Sequence, residues 1–438
     1  MVKVITYGTY DLLHYGHVKL LERAKALGDY LIVGITADDF DKARGKINVQ
    51  QSLMERVEAV RATGIADEII IEEYEGQKID DIKRYDVDIF TVGSDWVGHF
   101  DYLNEYCKVV YLERTQGVSS SELRADKREV RLGLVGDSLF LNKVVLESSY
   151  VNGIEVAGIC CNNVKLLSGE IKSLPLITCA YEELLGAVDV VYIRTKPEEH
   201  YEQIKIALEA GKHVLCESPV TVNHAQYEEL STLAKEKKLV LMEAIKTAYA
   251  TAFARLLLLL KDGRIGSIVS VDATCTSLRK NNSGWNGFYE WGPTALLPIF
   301  QVLGTEYKNK SVVVFMKNKQ DYFVKIDFVF DGAVASLKVG DGVKSEGELI
   351  ISGTKGYLYV PAPWWKTDYF EIRYEDTSHN KRCFYQLDGE GIRYELVTFS
   401  KAVETGKNLS NITERVTKAI CKIMEDFNNK DGLTVIEI

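Results

Sequence analysis

The chain has 438 residues, 46% of them hydrophobic and 26% charged, with a formal net charge of −10 at pH 7. That length exceeds one compact core and predicts two or three domains. The negative balance argues against a sequence-independent nucleic-acid binder, which needs a net basic face to displace counterions. The longest apolar run, Leu256 to Leu260, is too short to cross a bilayer, and the opening MVKVITYG reads as a strand rather than a signal peptide. The expectation is therefore a cytoplasmic protein without membrane insertion. Its eight cysteines show neither a C-x-x-C pair nor a metal spacing with histidine, which fits reduced thiols and no metal site.

In chain order, the first ~125 residues alternate strand and helix patterns. Strands are predicted over Val2–Tyr7, Tyr30–Thr36, Asp67–Glu72, Val87–Val92 and Val109–Leu112. Helices are predicted over His17–Leu27, Leu53–Thr63 and Gln77–Tyr85. Such alternation implies a parallel sheet with helices on both faces. The charged stretch SELRADKREV, near Ser121–Val130, reads as a helix and linker. At Arg131 the alternation restarts, with strands over RLGLVG, Ile154–Cys160, Val188–Arg194, His213–Cys216 and Val240–Glu243, and helices over Glu199–Ala210 and Ala225–Lys237. This is a second doubly wound pattern. After about Ile265, long strands dominate, from Ile268–Thr276 to Glu371–Tyr374, and Tyr394–Asn428 closes the chain as helix. The predicted class is α/β. A Rossmann-like domain spans 1–128, a second Rossmann-like domain 129–260, and an α+β open-sheet domain 261–438.

The densest chemical signal is Gly8-Thr9-Tyr10-Asp11-Leu12-Leu13-His14-Tyr15-Gly16-His17, between the first strand and the first helix. A helix N-terminus presents unpaired N–H groups and a positive dipole end, a natural phosphate seat. Gly16 lets a phosphate approach the backbone, and two histidines can donate to a phosphoryl group as its charge builds. A second signal follows the fifth strand: Arg114-Thr115-Gln116-Gly117-Val118-Ser119-Ser120-Ser121. Arg114 offers a fork for phosphate oxygens. Ser119 and Ser120 can cap a helix and touch a phosphate, and taken alone they read better as an ordinary N-cap. The two motifs together describe a converging anion site.

These motifs, with GSDWVG and FDYL between them, make residues 1–125 resemble glycerol-3-phosphate cytidylyltransferases of the nucleotidylyltransferase superfamily. The resemblance implies a Rossmann-like fold, CTP with Mg²⁺, and a homodimer. It further implies that His14 and His17 contact the triphosphate, with Gly8, Thr9, Tyr10, Asp11 and Gly16 in the first loop. Lys46 and Arg44 reach over the phosphates and the polyol phosphate, with Arg56 on the substrate side. Arg114, Thr115, Ser119 and Ser120 hold the β- and γ-phosphates, and Asp95 and Trp96 form the nucleotide-side loop. An ATP-dependent nucleotidylyltransferase acting on pantetheine phosphate is the rival for this domain, and RTQGVSS favours the cytidylyl branch. A nucleotide-sensing scaffold without turnover is a rival of another kind, which the intact histidines, lysine and arginine argue against.

From about residue 130, VDVVYIRTKPEEHYEQIKIALEAGKHVLCESPVTV resembles the glucose-fructose oxidoreductase and inositol dehydrogenase superfamily. The catalytic landmarks of that superfamily depart here. The glycine turn, with Gly133 and Gly136 as its candidate residues, is eroded and carries Asp137. Cys160-Cys161-Asn162-Asn163 replaces the ribose-binding acid. Glu-Lys-Pro reads Glu217-Ser218-Pro219, and the later Asp-x-x-x-His helix reads GPTALLPIFQVLG. Lys246 is a nearby substitute cation, more readily read as a surface or salt-bridged lysine. Two readings stay open: a non-catalytic or repurposed module, which the lost landmarks favour, or an NAD(P)H-dependent reduction supplying an alditol phosphate to the first domain. The implied role of the whole chain is a CDP-activated polyol for a teichoic-acid-like or capsular polymer.

Overall fold

The structure is a computed structural model that describes residues 1–38, 49–74, 76–113, 130–151, 153–164, 169–278, 287–318, 320–385 and 387–437. The chain divides into two compact units, Met1–Arg128 and Glu129–Ile438.

In the first unit β1 (Lys3–Gly8), β2 (Tyr30–Thr36), β3 (Glu68–Glu72), β4 (Ile89–Gly93) and β5 (Lys108–Leu112) form one parallel sheet of order β3-β2-β1-β4-β5. The four central residues of β1 are all buried, as expected of a parallel strand covered on both faces. α1 (Tyr15–Lys25) and α2 (Leu53–Ala62) pack on one face, where Leu21, Ala24, Val57 and Val60 meet Val4 and Val33. α3 (Gln77–Tyr85) covers the other, with Ile82 against Ile5, Ile32 and Phe90. α2 starts at a capping box: the Ser52 side chain accepts from the Glu55 N–H, and the Glu55 carboxylate accepts from the Ser52 N–H. Strand order reverses at β1, so the crevice for a ligand lies beyond the carboxyl ends of β1 and β4.

The second unit begins with β6 (Val130–Val135), α4 (Leu141–Ser148), β7 (Ile154–Cys160), β8 (Leu176–Thr178), α5 (Tyr181–Ala187), β9 (Val190–Ile193), α6 (Pro197–Glu209), β10 (His213–Glu217), α7 (His224–Glu236) and β11 (Leu241–Ala244). Its parallel sheet has the order β11-β10-β9-β6-β7-β8. After α8 (Thr251–Lys261), β12 (Ile268–Thr276) enters a nine-stranded mixed sheet. α9 (Phe288–Leu303) packs on that sheet. It is completed by β13 (Asn309–Lys317), β14 (Gln320–Val329), β15 (Val334–Gly340), β16 (Leu349–Gly353), β17 (Tyr357–Val360), β18 (Tyr369–Arg373) and β19 (Lys381–Phe384). The closing segment differs from the single helical stretch predicted. α10 (Ile392–Thr405) stops at Gly406, in the left-handed region, before α11 (Glu414–Asn428) begins at the Thr413 cap. A last strand, β20 (Leu433–Glu437), then adds in parallel to β13. Its residues are largely exposed, so edge pairing rather than an apolar pattern makes it a strand.

Gly133 also departs from the expectation that it belongs to the glycine turn. It lies inside β6, packed against Leu184 and Val188, and the turn starts at Gly136. Gly136 has φ +131°, and a Cβ there would stand 2.0 Å from the Arg194 carbonyl oxygen. Gly136→Ala is expected to lower the stability of the second unit by about 2 kcal/mol or more, through left-handed strain and backbone overlap. Chemical denaturation measures this, and an unchanged midpoint would contradict the reading.

Candidate active site and a second cleft

The turn after β1 is bent sharply, because Tyr10 (φ 53°) and Leu12 (φ 48°) both hold left-handed backbone without being glycine. Such conformations cost about 1–2 kcal/mol each and persist only when surrounding groups over-determine them. Asp11, between them, is 3% exposed, and its carboxylate accepts from the backbone N–H of Gln50 (3.0 Å to each oxygen) and of Gln51 (2.9 Å). The Leu12 N–H donates to Oε1 of Gln51 at 2.8 Å. The bonds to the Asp11 carboxylate are charge-assisted, a kind roughly twice as strong as neutral ones.

Arg56, from α2, lies beneath the same turn. It was expected on the substrate side, but its side chain is 0% exposed. Nη1 donates to the carbonyls of Thr9 (2.7 Å) and Thr36 (2.9 Å), Nε donates to that of Gln51 (3.2 Å), and Nη2 pairs with Asp38. It ties the ends of β1 and β2 and the segment before α2 together, so it positions the loop instead of presenting a guanidinium to solvent.

The turn ends at the cap of α1. His14 is the N-cap, and its Nδ1 accepts from the Gly16 N–H at 3.1 Å, which puts the imidazole proton on Nε2. His17, one helical turn on, stacks on His14 with ring centroids 3.9 Å apart and planes at 23°. The Tyr10 ring meets His17 edge-on at 5.6 Å and lies across Gly8, where a Cβ would stand 3.0 Å from that ring. Both histidines are half-buried, neither sealed in the core. The first turn of α1 contains no acidic residue of its own to neutralise its positive dipole end. Asp95 and Trp96 follow β4, which pairs with β1 through Thr6 and Thr91, and so share the crevice edge with the histidine turn. Trp96 leans on His99 and Phe100. Gly8, Thr9, Tyr10, Asp11, His14, Gly16 and His17 thus come together. Lys46, Arg44, Arg114, Thr115, Ser119 and Ser120 lie outside the described residues. Among the described residues no group of three or more His, Cys, Asp or Glu side chains is placed to hold a metal ion. No helix among them is long and apolar enough to cross a membrane.

Sequence reasoning missed a cleft in the second unit, about 300 Å³ in volume. Arg194, at the end of β9 and 8% exposed, crosses it. Its Nη1 pairs with Glu217 (3.1 Å), Nη2 with Glu290 (3.3 Å) and Nε donates to the Ser138 hydroxyl (3.1 Å), while the guanidinium sits 4.4 Å from the Phe140 ring centroid. Burial works against its charge, and Glu217 and Glu290 more than offset this and hold it protonated. Lys246 is ion-paired with Glu390 at 2.8 Å. The sequence signs of this cleft were Glu217, Ser218 and Lys246, which line it, and the charged residue closing the buried strand VVYI, without the pairing that joins them.

An H-x-G-H turn at the strand-order reversal of a five-stranded parallel sheet defines a nucleotidylyltransferase-type domain. Residues 5–126 match the cytidylyltransferase-like family model. The same region is 50% identical over 126 residues to glycerol-3-phosphate cytidylyltransferase of Bacillus spizizenii, covering 29% of this chain and 97% of that protein. The chain belongs to the cytidylyltransferase family through this first unit, fused to an oxidoreductase-type unit. Residues 150–245 match the oxidoreductase family with an NAD-binding Rossmann fold. Bovine trans-1,2-dihydrobenzene-1,2-diol dehydrogenase is 26% identical over 280 residues, covering 60% of this chain and 83% of that protein. The 3-ketoreductase KijD10 of Actinomadura kijaniata, solved with NADP and TDP-benzene, superposes with a TM-score of 0.63 at 20% identity over 71% of this chain and all of its own, a likeness of fold.

Arg56→Ala is expected to destabilise the first unit by about 2–4 kcal/mol, since it leaves three backbone carbonyls short of a donor. A thermal melt of the full chain, followed at the first unit's transition, measures this. An unchanged transition would mean that the guanidinium does not hold the turn.

Proposed function

We propose that the first unit transfers CMP from CTP to a phosphate oxygen of a small polyol phosphate, glycerol 3-phosphate or a longer alditol phosphate, releasing pyrophosphate. The observation that carries this reading is the stacked His14–His17 pair on an acid-free helix N-terminus, at the carboxyl ends of β1 and β4.

The acceptor's phosphate oxygen supplies the electron pair for the new bond to the α-phosphorus. The bridging bond between the α-phosphorus and the β-phosphate oxygen breaks, and its pair leaves on pyrophosphate. A phosphate monoester is largely dianionic near neutral pH, so the acceptor needs no general base. Catalysis then consists of positioning and of donors aimed at the charge building on the phosphoryl oxygens. The Nε2–H of His14 and the imidazole of His17 are those donors, with the N–H groups of the first turn of α1 beside them. In the same reading Lys46 and Arg44 cover the phosphates and the acceptor. Arg114, Thr115, Ser119 and Ser120 take the β- and γ-phosphates, and Asp95 and Trp96 border the nucleotide. Asp11 and Arg56 act by holding the turn. Mg²⁺ would ride on the triphosphate, whose oxygens are the hard ligands it takes, and would neutralise charge there. A homodimer working in the cytoplasm and feeding a CDP-polyol to cell-wall or capsule polymer synthesis completes the proposal. The 50% identity to a glycerol-3-phosphate cytidylyltransferase supports it.

Pyrophosphate release with CTP and a panel of three- to six-carbon polyol phosphates is the test. CTP should support release and ATP should not; release with ATP alone would overturn the cytidylyl assignment. His17→Ala should lower kcat by about 10²-fold or more, the usual cost of one transition-state donor. Chelating Mg²⁺ with EDTA should abolish release, and full activity in EDTA would remove the metal from the scheme.

A further inference from the structure

The second unit's fold leads one to look for a nicotinamide dinucleotide in its cleft, and the residues there do not fit one. A dinucleotide turn needs a glycine at its second position so that the pyrophosphate can approach the backbone, and a third for close packing of the helix on the strand. After Gly136 those positions hold Ser138 and Leu141. Asp137 puts a carboxylate in the turn, where its Oδ1 accepts from the Asn163 N–H at 2.9 Å. Arg194 lies over Ser138 and Phe140 and links Glu217, on the Rossmann side, to Glu290 of α9. Its single positive charge is already taken up by two carboxylates.

The rest of the lining has a chemistry of its own. At one end Lys143 (3.1 Å), Lys246 (2.8 Å) and Lys366 (2.6 Å) all meet the carboxylate of Glu390. At this end alone, three ammonium groups against one carboxylate leave a local excess of two positive charges, which suits the charge of about −1.5 to −2 on a phosphate monoester, while Glu217, Glu290 and Asp341 make the rest of the lining acidic. The turn that presents Glu390 is tightly built. Gly389, Glu390 and Gly391 are all left-handed, and a Cβ on Gly391 would stand 2.7 Å from the Lys246 carbonyl oxygen. Glu395 of α10 also lines the cleft, is 1% exposed, and its Oε2 has no hydrogen-bond partner. Burial, reinforced by Glu217, raises the pKa of Glu395 well above the ordinary carboxylate range, so it stands as a neutral acid able both to donate to and accept from a hydroxyl. A buried, unpartnered carboxyl oxygen is costly unless a ligand or water meets it. Trp291, anchored by its Nε1–H to Asp341 at 2.8 Å, meets Trp365 edge-on at 5.0 Å and gives the cleft an aromatic wall suited to C–H faces.

We propose that this cleft binds a polyol phosphate without a nicotinamide cofactor. The phosphate sits at the Lys143–Lys246–Lys366 end, the hydroxyls meet Glu395, and the carbon chain lies against Trp291 and Trp365. The ligand class is read from the lining alone and does not rest on the transferase reading.

Calorimetry on the full chain without CTP tests the proposal, using ribitol 5-phosphate, glycerol 3-phosphate, free ribitol, inorganic phosphate and NADH or NADPH as separate titrants. The variants are Lys246→Ala/Lys366→Ala and, to guard against a folding defect, Glu395→Leu, which replaces a buried acid by an apolar side chain of similar size. The double lysine variant should weaken one polyol phosphate binding event at least tenfold while pyrophosphate release persists. Glu395→Leu should weaken polyol phosphate binding but leave inorganic phosphate binding unchanged, a split that a merely structural role would not produce. Free ribitol and inorganic phosphate should each bind at least tenfold more weakly than ribitol 5-phosphate. Isotherms identical to wild type in both variants, or saturable NADH or NADPH binding at this unit, would overturn the proposal. Cleft binding that survives when no pyrophosphate release is seen would sink only the transferase reading.

Discussion

The histidine turn depends on two buried charges placed beneath it. Asp11 gathers the N–H groups of Gln50 and Gln51, and Arg56 gathers the carbonyls of Thr9, Thr36 and Gln51. Together they hold Tyr10 and Leu12 in left-handed backbone that neither would adopt unaided. With the turn so fixed, the chain enters α1 with His14 at the cap and His17 stacked on it. The N-terminus of α1, with the Gly16 backbone and both histidines, then lies in the turn that follows β1, the strand at which the order reverses. The strain is local, and it positions the groups that phosphoryl chemistry requires.

Much of this frame was legible from residues alone. Tyr30–Thr36 and Gln77–Tyr85 occupy the bounds their patterns predict, because one is an apolar run bounded by polar residues and the other a short amphipathic stretch after a glycine. α1 starts at Tyr15, two residues before its predicted start, since the His14 side chain caps it, and histidine is not among the usual caps. The role of Arg56 was not legible, because apart from Asp38 its partners are backbone carbonyls, two of them on the distant segments of Thr9 and Thr36, and no side-chain pattern encodes those. Nor was β20, which owes its form to pairing with β13.

The two units use the same architectural device, a turn after the first strand of a parallel sheet, and they use it differently. In the first unit the turn leads into an acid-free helix start with two imidazoles. In the second it carries Asp137 and is overlaid by Arg194, whose partners come from β10 and α9. The charge at the end of VVYI was visible in the sequence, but the long-range pairing that turns it into a bridge across the cleft was not. The lysine cluster likewise draws on segments far apart in the chain, which only the folded sheet brings to Glu390.

The central claim is that His14 and His17 meet the triphosphate of CTP at the start of α1. Histidine-selective ¹⁵N NMR on the full chain tests it most directly, with signals assigned through His14→Ala and His17→Ala. The account predicts that CTP shifts the Nε2 resonances of both residues saturably, with a midpoint matching CTP binding measured by calorimetry. CTP binding that leaves both imidazoles unshifted would contradict it.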